Sequence, residues 1–238
     1  MNLFTVKSNG SFLRDVFSDF ATLFFPDYCL GCSSSLLKDE DVLCSKCLLD
    51  LPKTDYWLRD ENPITKKFFG RLPLKHGSAF LRFRKEGIVQ HLLHQLKYKN
   101  HPEVGQKLGK IFGNKLKSTN AVFDLIVPLP LHPSRQRRRG YNQSAKIAEG
   151  LSESLQIPYK EVCSRTVNTT TQTKKNRMER WENIHDVFVV KNPEQVQGKK
   201  ILLVDDIITT GATLEACGQE LIKAGCSELS IACIAEAQ

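Results

Sequence analysis

Two neighbouring carboxylates, Asp205 and Asp206, follow four uninterrupted aliphatic residues, Ile201-Leu202-Leu203-Val204, and lead through Ile207-Ile208 into Thr209-Thr210-Gly211-Ala212-Thr213. Hydroxyls and free backbone N–H groups at a helix start cradle phosphate, and a glycine lets the backbone approach an anion closely. Paired acids can face ribose hydroxyls, with Mg2+ alongside. The run therefore suits the grip of a phosphorylated sugar.

A second cluster is cationic. His132-Pro133-Ser134-Arg135-Gln136-Arg137-Arg138-Arg139-Gly140-Tyr141-Asn142-Gln143 places four arginines within five residues. Guanidinium forks bind phosphate oxygens bidentately, and Asn142 and Gln143 add neutral donors. Taken alone, such a run is more often a solvated or nucleic-acid-binding patch. One βα unit before a phosphate loop, it gains weight as a pyrophosphate loop.

A third cluster is built of thiols. Cys29-x-x-Cys32 and Cys44-x-x-Cys47 stand eleven residues apart, and each pair can offer two thiolates to one ion from a tight turn. Four thiolates fit the tetrahedral preference of Zn2+ and fill every position, which makes the expected site structural. Disulfides compete with this reading, but a cytosolic chain keeps its thiols reduced. A thioredoxin-like site would need one pair at the head of a helix in a βαβ setting, which the pattern lacks. The remaining cysteines, Cys163, Cys217, Cys226 and Cys233, sit in apolar surroundings and read as core residues.

The elements that must position these groups are those of an α/β fold. Ile201 to Val204 reads as a strand buried on both faces, as in the middle of a parallel sheet. Acids at its carboxyl end lie where such a sheet opens its ligand crevice. A helix is expected from about Leu214 to Ala224, with Gly225 as its C-cap and Leu229 to Ile234 as a last strand. Upstream, Asp124 to Val127 reads as a short strand broken at Pro128, and Ala145 to Leu155 as a helix. Ala79 to Phe83 and Tyr159 to Cys163 read as strands, Ile88 to Tyr98 and Glu103 to Lys117 as helices. His91 and His94, three apart with no third ligand at a matching offset, read as surface residues. The polar, proline-punctuated stretch from Asp50 to His76 is expected to be linker and junction. Arg165 to His185 lacks apolar periodicity and is long for a connection, so it is either disordered or a functional lid.

Residues Phe12 to Phe25 carry an aromatic stripe at helical spacing. Its polar face is acidic, unlike that of membrane-surface helices, so packing on protein is the expected role. No run of about twenty apolar residues occurs, so no membrane span is expected. Met1 to Gly10 does not read as a secretory leader, and the expected compartment is the cytoplasm. The net charge of +8 is unevenly placed: residues 1–60 hold six basic and nine acidic side chains, the remainder 28 and 17. The positive field thus belongs with the phosphate loop, attracting phosphorylated small molecules and nucleic acids alike. Two domains are expected, an amphipathic helix with a zinc ribbon over 1–60 and an α/β domain over 61–238. A receiver domain also carries Val-Asp-Asp after a strand, but it needs further βα units where only residues 207–238 follow.

From Ile201 to Thr213 the chain resembles the type I phosphoribosyltransferases, whose 5-phosphoribosyl-1-pyrophosphate (PRPP) motif is a hydrophobic strand, two acids, two aliphatics and a Thr/Gly loop. With Cys29, Cys32, Cys44 and Cys47, Pro128 to His132, Arg139-Gly140-Tyr141-Asn142-Gln143, Gln172, Arg180 and Asn183, the whole order resembles the ComF family of competence-associated proteins. That resemblance implies a type I phosphoribosyltransferase-like parallel sheet flanked by helices, with a small N-terminal four-cysteine zinc ribbon. It implies that Asp205 and Asp206 hold the ribose and that Thr209, Thr210, Gly211, Ala212 and Thr213 hold the 5-phosphate. Arg135, Arg139, Asn142 and Gln143 would approach the pyrophosphate, and Gln172, Arg177 and Arg180 would belong to a flexible lid. Mg2+ with PRPP and structural Zn2+ are the implied cofactors. Single-stranded DNA, a DNA-uptake helicase and other competence proteins are the implied candidate partners. Transferases for hypoxanthine or guanine carry Asp where this chain has Thr209, whereas orotate-type enzymes carry Thr. The two expectations are therefore a phosphoribosyltransferase for a nitrogenous acceptor and a non-catalytic DNA-handling factor that retains the PRPP site.

Overall fold

The computed structural model describes residues 26–167 and 186–237. The chain divides into two compact units, Met1–Asp50 and Leu51–Gln238. In the first, the backbone bonds Cys29 N–H to Ser34 O and Leu30 N–H to Val42 O, both 2.8 Å, hold the two cysteine turns together. Helix α1 (Ser45–Asp50) carries Cys47 on its buried side.

The second unit contains helices α2 (Pro63–Lys67), α3 (Ile88–Tyr98), α4 (Pro102–Leu116), α5 (Pro133–Arg139), α6 (Gln143–Leu155) and α7 (Ala212–Lys223). Its strands are β1 (His76–Arg82), β2 (Leu125–Pro128), β3 (Cys163–Val167), β4 (Asp186–Val190), β5 (Lys200–Ile208) and β6 (Glu228–Glu236). Strands β1, β6, β5 and β2 form a sheet in that order, every pair parallel. As expected for a central strand, all of Ile201 to Val204 is buried. Strands β3 and β4 form a separate antiparallel pair.

Alternation along β5 divides the core, because successive side chains point to opposite faces. Ile201 and Leu203 join Leu214, Cys217 and Leu221 of α7 in one cluster with Ile64 and Phe68. On another part of the core, Phe80 of β1 stacks on Phe112 of α4 with ring centroids 5.3 Å apart. Each fully buried Leu or Phe contributes about 1.5–3 kcal/mol of apolar burial. Cys163, Cys217 and Cys233 are buried as expected and Cys226 is half-buried.

Helices α4 and α6 approach until their backbones touch. A Cβ on Gly150 would lie 2.0 Å from Gln106 O, and one on Gly109 only 2.3 Å from Ile147 O. This close contact fixes the position of α6, whose N-terminus reaches the acid pair.

The stretch read as linker is instead part of the core. Tyr56, Ile64, Phe68 and Leu72 are buried. Asn62 caps α2 in a capping box with Thr65, its Oδ1 accepting from Ile64 N–H at 2.8 Å. Its Nδ2 donates to Tyr56 O at 3.1 Å and Gly77 O at 2.8 Å, so one amide pins the helix against β1. Lys67 at the other end of α2 pairs with buried Glu236 at 3.4 Å, and Tyr56 Oη donates to the same carboxylate at 3.1 Å. The sequence signal for this segment is Asn-x-x-Thr before apolar residues at i, i+4 and i+8. Flanking prolines and the charges between those residues conceal it, because a five-residue helix shows no full period.

Two boundaries also move. The expected strand at Tyr159 is a single parallel bridge to Ile126, and the strand itself begins at Cys163. The arginine run, expected as a loop between strand and helix, forms α5, closed by Gly140 in the left-handed region. Pro133 at the first helical position and the His132 cap explain why it coils. The helix expected over Phe12–Phe25 and most of the stretch expected to be disordered or a lid, including Gln172, Arg177 and Arg180, lie outside the described residues. No helix among the described residues is long and apolar enough to cross a membrane.

Candidate functional site

Asp205 and Asp206 lie near the carboxyl end of β5, where the strand runs into the threonine loop. Asp205 Oδ1 accepts from the Ser144 hydroxyl at 2.9 Å and from the Asp206 backbone N–H at 2.8 Å. Burial, and then the neighbouring charge of Asp206, push its carboxyl up to about 7, against the opposing pull of those two donors and Lys97. Although the residue keeps some surface, its carboxyl is deeply surrounded. Desolvation is the leading cause because it penalises the charged form. Asp206 pairs with Lys97 at the end of α3, Nζ to Oδ1 being 2.9 Å.

Gly211 sits at φ 81° as the N-cap of α7. A Cβ there would be strained by the positive φ. It would also meet Phe68 Cζ at 2.7 Å, so α2 and the following turn brace the loop from behind. Thr209 and Thr210 are exposed, and Ala212 and Thr213 begin the helix. Thr210 Oγ1 accepts from Ala212 N–H at 3.4 Å. Asp205 and Thr209 to Thr213 together line a small open cavity of about 40 Å³. The fold thus unites one acid with the whole expected phosphate loop around a cavity that is open among the described residues. Arg71 pairs with Glu215 on the first turn of α7.

The expected pyrophosphate residues take separate positions. Arg139 donates to Gln143 Oε1 at 2.7 Å and lies over the Tyr98 ring, 5.1 Å from its centroid. With Lys97, Tyr98, Asn100, Arg137, Arg138 and Gly140 it lines a cavity of about 660 Å³. Arg135 is exposed one turn earlier on α5 and does not line that cavity. Asn142 and Gln143 are both buried. Asn142 caps α6 by accepting from Ser144 N–H at 3.1 Å and donates to Leu129 O at 3.0 Å, so both ends of its amide are engaged within the fold. Gln143 holds Arg139. The sequence gives no sign of Lys97 or Ser144, because nothing local marks them. Each meets its acid only through a contact far along the chain, the kind of pairing that local pattern does not encode.

In the first unit, Cys29, Cys32, Cys44 and Cys47 bring their sulfurs within 4.8 Å of one another. Cys32 and Cys44 stand 3.7 Å apart. A tetrahedron of thiolates about 2.3 Å from one ion has edges near that length. Cys29 Sγ accepts backbone N–H groups from Gly31 at 3.3 Å and Cys44 at 3.2 Å. Such outer bonds orient a metal-bound sulfur. The Ser34 hydroxyl lowers Cys32 to about 6, toward the thiolate a metal requires. The four residues fit one tetrahedral ion. His91 and His94 are exposed, as expected.

A model of the phosphoribosyl transferase domain matches residues 94–238. The chain belongs to that family. The matched span carries the acid pair, the threonine loop and the arginine helix. Among relatives of this phosphoribosyl transferase domain protein, the Escherichia coli (strain K12) "DNA utilization protein YhgH" is 32% identical over 149 residues, covering 60% of this chain. The chain spans 65% of the length of that relative. "Competence protein F" of Haemophilus influenzae is 26% identical over 87% of this chain and 96% of its own. "Competence protein ComFC" of Bacillus subtilis is 26% identical over 94% and 90%. These relatives, with the four-cysteine cluster, bear out the ComF resemblance. A solved structure of glutamine PRPP amidotransferase from B. subtilis, complexed with ADP and GMP, is similar over 59% of this chain and 30% of that one, with TM-score 0.41 and 20% identity.

Proposed function

We propose that the protein binds PRPP with Mg2+ and transfers its phosphoribose to a nitrogenous acceptor, releasing pyrophosphate. The observation that carries this reading is the single cavity shared by Asp205 and Thr209 to Thr213 at the carboxyl end of β5. In it the loop and the start of α7 hold the 5-phosphate, and Asp205 and Asp206 hold the ribose hydroxyls. Arg135, Arg139, Asn142 and Gln143 are assigned to the pyrophosphate end. Of these, Arg139 opens onto the cationic cavity, whereas Asn142 and Gln143 act by holding α6 and Arg139 in place.

Displacement at ribose C1 passes through an oxocarbenium-like state, so the protein's help is positioning and charge stabilisation. The carboxylates here are hard oxygen donors suited to Mg2+, which when bound would neutralise the leaving pyrophosphate. Gln172, Arg177 and Arg180 are assigned to a lid that excludes water. Zn2+ is assigned to Cys29, Cys32, Cys44 and Cys47 as a structural ion. The cytoplasm is the proposed compartment, where such thiols stay reduced. Turnover is tested by screening nitrogenous bases for pyrophosphate release. Release that depends on one base and on Asp205 and Asp206 supports transfer, and no release with any base rejects it.

A second reading is favoured by the relatives' names, which speak of competence and DNA utilization. In it the same fold retains the PRPP site without turnover and handles single-stranded DNA during uptake, beside a helicase or other competence proteins. Arg135, Arg137 and Arg138 are exposed on α5 and would contact the backbone. Titration with single-stranded DNA at several salt concentrations decides it. A steep salt slope that flattens when Arg135, Arg137, Arg138 and Arg139 become Ala supports DNA handling, and affinity insensitive to salt contradicts it.

A further inference from the structure

Lys97 belongs to two sites at once. Its ammonium reaches Asp206 at 2.9 Å, with the lysine side chain 20% exposed and the aspartate 9%. The same residue lines the 660 Å³ cavity with Arg137, Arg138 and Arg139, and among the described residues no carboxylate lines that cavity. Four cations around one hollow repel one another unless an anion joins them. Arg139 adds a donor in waiting: its Nε is buried and has no hydrogen-bond partner among the described residues. The rest of that guanidinium is fixed, one nitrogen donating to Gln143 Oε1 and the plane lying over Tyr98. Tyr141 steadies α3, its hydroxyl donating to Leu96 O, one residue before Lys97. Among the cations of this hollow, Lys97 is the one that also touches the acid pair.

We propose that Lys97 is a two-position residue: it neutralises Asp206 while the site is empty and turns into the cationic cavity to bind the pyrophosphate group when Asp206 takes up ribose. This rests on the PRPP reading for the second half of its cycle. The pairing with Asp206 needs no ligand, and the turn toward the cavity needs only a diphosphate anion. A lysine stem suits the task because its flexible four-carbon chain lets the head move several ångströms while α3 stays still. The exchange also makes the two halves of the ligand cooperative: ribose binding to Asp206 frees the cation that the pyrophosphate needs.

The sign of the coupling gives the test. Inorganic pyrophosphate without Mg2+ is titrated calorimetrically into the full chain and into Lys97→Met, Lys97→Arg, Asp206→Asn and the Lys97→Met/Asp206→Asn pair. Freeing the lysine in Asp206→Asn should tighten pyrophosphate about five- to tenfold, as one unpaired charge at this depth does. Lys97→Met should weaken it about tenfold, Lys97→Arg should retain most of the affinity, and the pair should lose the whole gain. Lys97→Met leaves an apolar stem of similar length, so the single variant remains readable even where Asp206→Asn is poorly folded. An Asp206→Asn variant no tighter than wild type, or a double variant as tight as Asp206→Asn, overturns the proposal, as does pyrophosphate binding unchanged in Lys97→Met. Titration with Mg2+ and PRPP runs beside it. A flat Lys97 series with intact PRPP binding sinks the lysine alone, whereas the expected series without PRPP binding sinks the ligand reading alone.

Discussion

Asp205 ties stability to pH in a direction opposite to that of most surface carboxylates. Its carboxyl is raised from the ordinary 3.8 to about 7, first by burial and then by Asp206. In the unfolded chain it ionises near its ordinary value, so between about pH 4 and 7 the folded state holds a proton that the unfolded state has released. Stability therefore falls as pH rises through that window, and the full cost is present above 7. Two-site arithmetic gives a ceiling of about 4 kcal/mol at pH 8 and under about 2 kcal/mol at pH 5. Asp205→Asn cannot ionise, and its carboxamide oxygen can still accept from Ser144 and the Asp206 N–H. Urea denaturation of both proteins, with metal content held constant, should show the variant gaining about 2 kcal/mol on wild type between pH 5 and pH 8. Any constant offset from altered hydrogen bonds cancels in that comparison. A difference that stays flat across the range refutes the claim that this acid is held in its neutral form by burial.

Three shorter predictions follow from other parts of the structure. Asn62→Ala removes the cap of α2 and takes the amide donor from three carbonyls, those of Tyr56, Arg59 and Gly77, so chemical denaturation should show a loss of about 3 kcal/mol; a loss under about 1 kcal/mol contradicts the pinning role. Gly211→Ala forces a Cβ against Phe68 at positive φ, and phosphate-loop affinity for PRPP should drop at least about tenfold, while unchanged affinity shows that the loop tolerates reshaping. Native mass spectrometry should find one zinc ion on the chain, lost in Cys29→Ser/Cys44→Ser, and a variant that keeps its zinc rules out these ligands.

How far the chain announces its own site depends on whether the signal is local. The strand Ile201 to Val204, its acids and the threonine loop are contiguous, and burial on both faces leaves an unbroken aliphatic run that can be read directly. The cysteine pairs are similarly legible because each pair must share one tight turn. The segment from Tyr56 to Leu72 hides its place in the core because its helix is too short for periodicity, and its stability comes from Asn62 and from contacts far along the chain. Lys97 and Ser144 carry no pattern of their own. Each acquires its role only when α3 and α6 are brought to the end of β5. The roles of Asn142 and Gln143 shift for a related reason: an amide that looks available in sequence is engaged once the α6 cap forms.

Calorimetric titration of the full chain with PRPP in the presence and absence of Mg2+ tests the central claim most directly. The account predicts saturable binding that requires Mg2+ and weakens by about a hundredfold or more when Asp205 and Asp206 both become Asn, as expected for two lost charge-assisted contacts. Equal affinity in the double variant, or no binding by the wild-type protein, would contradict it.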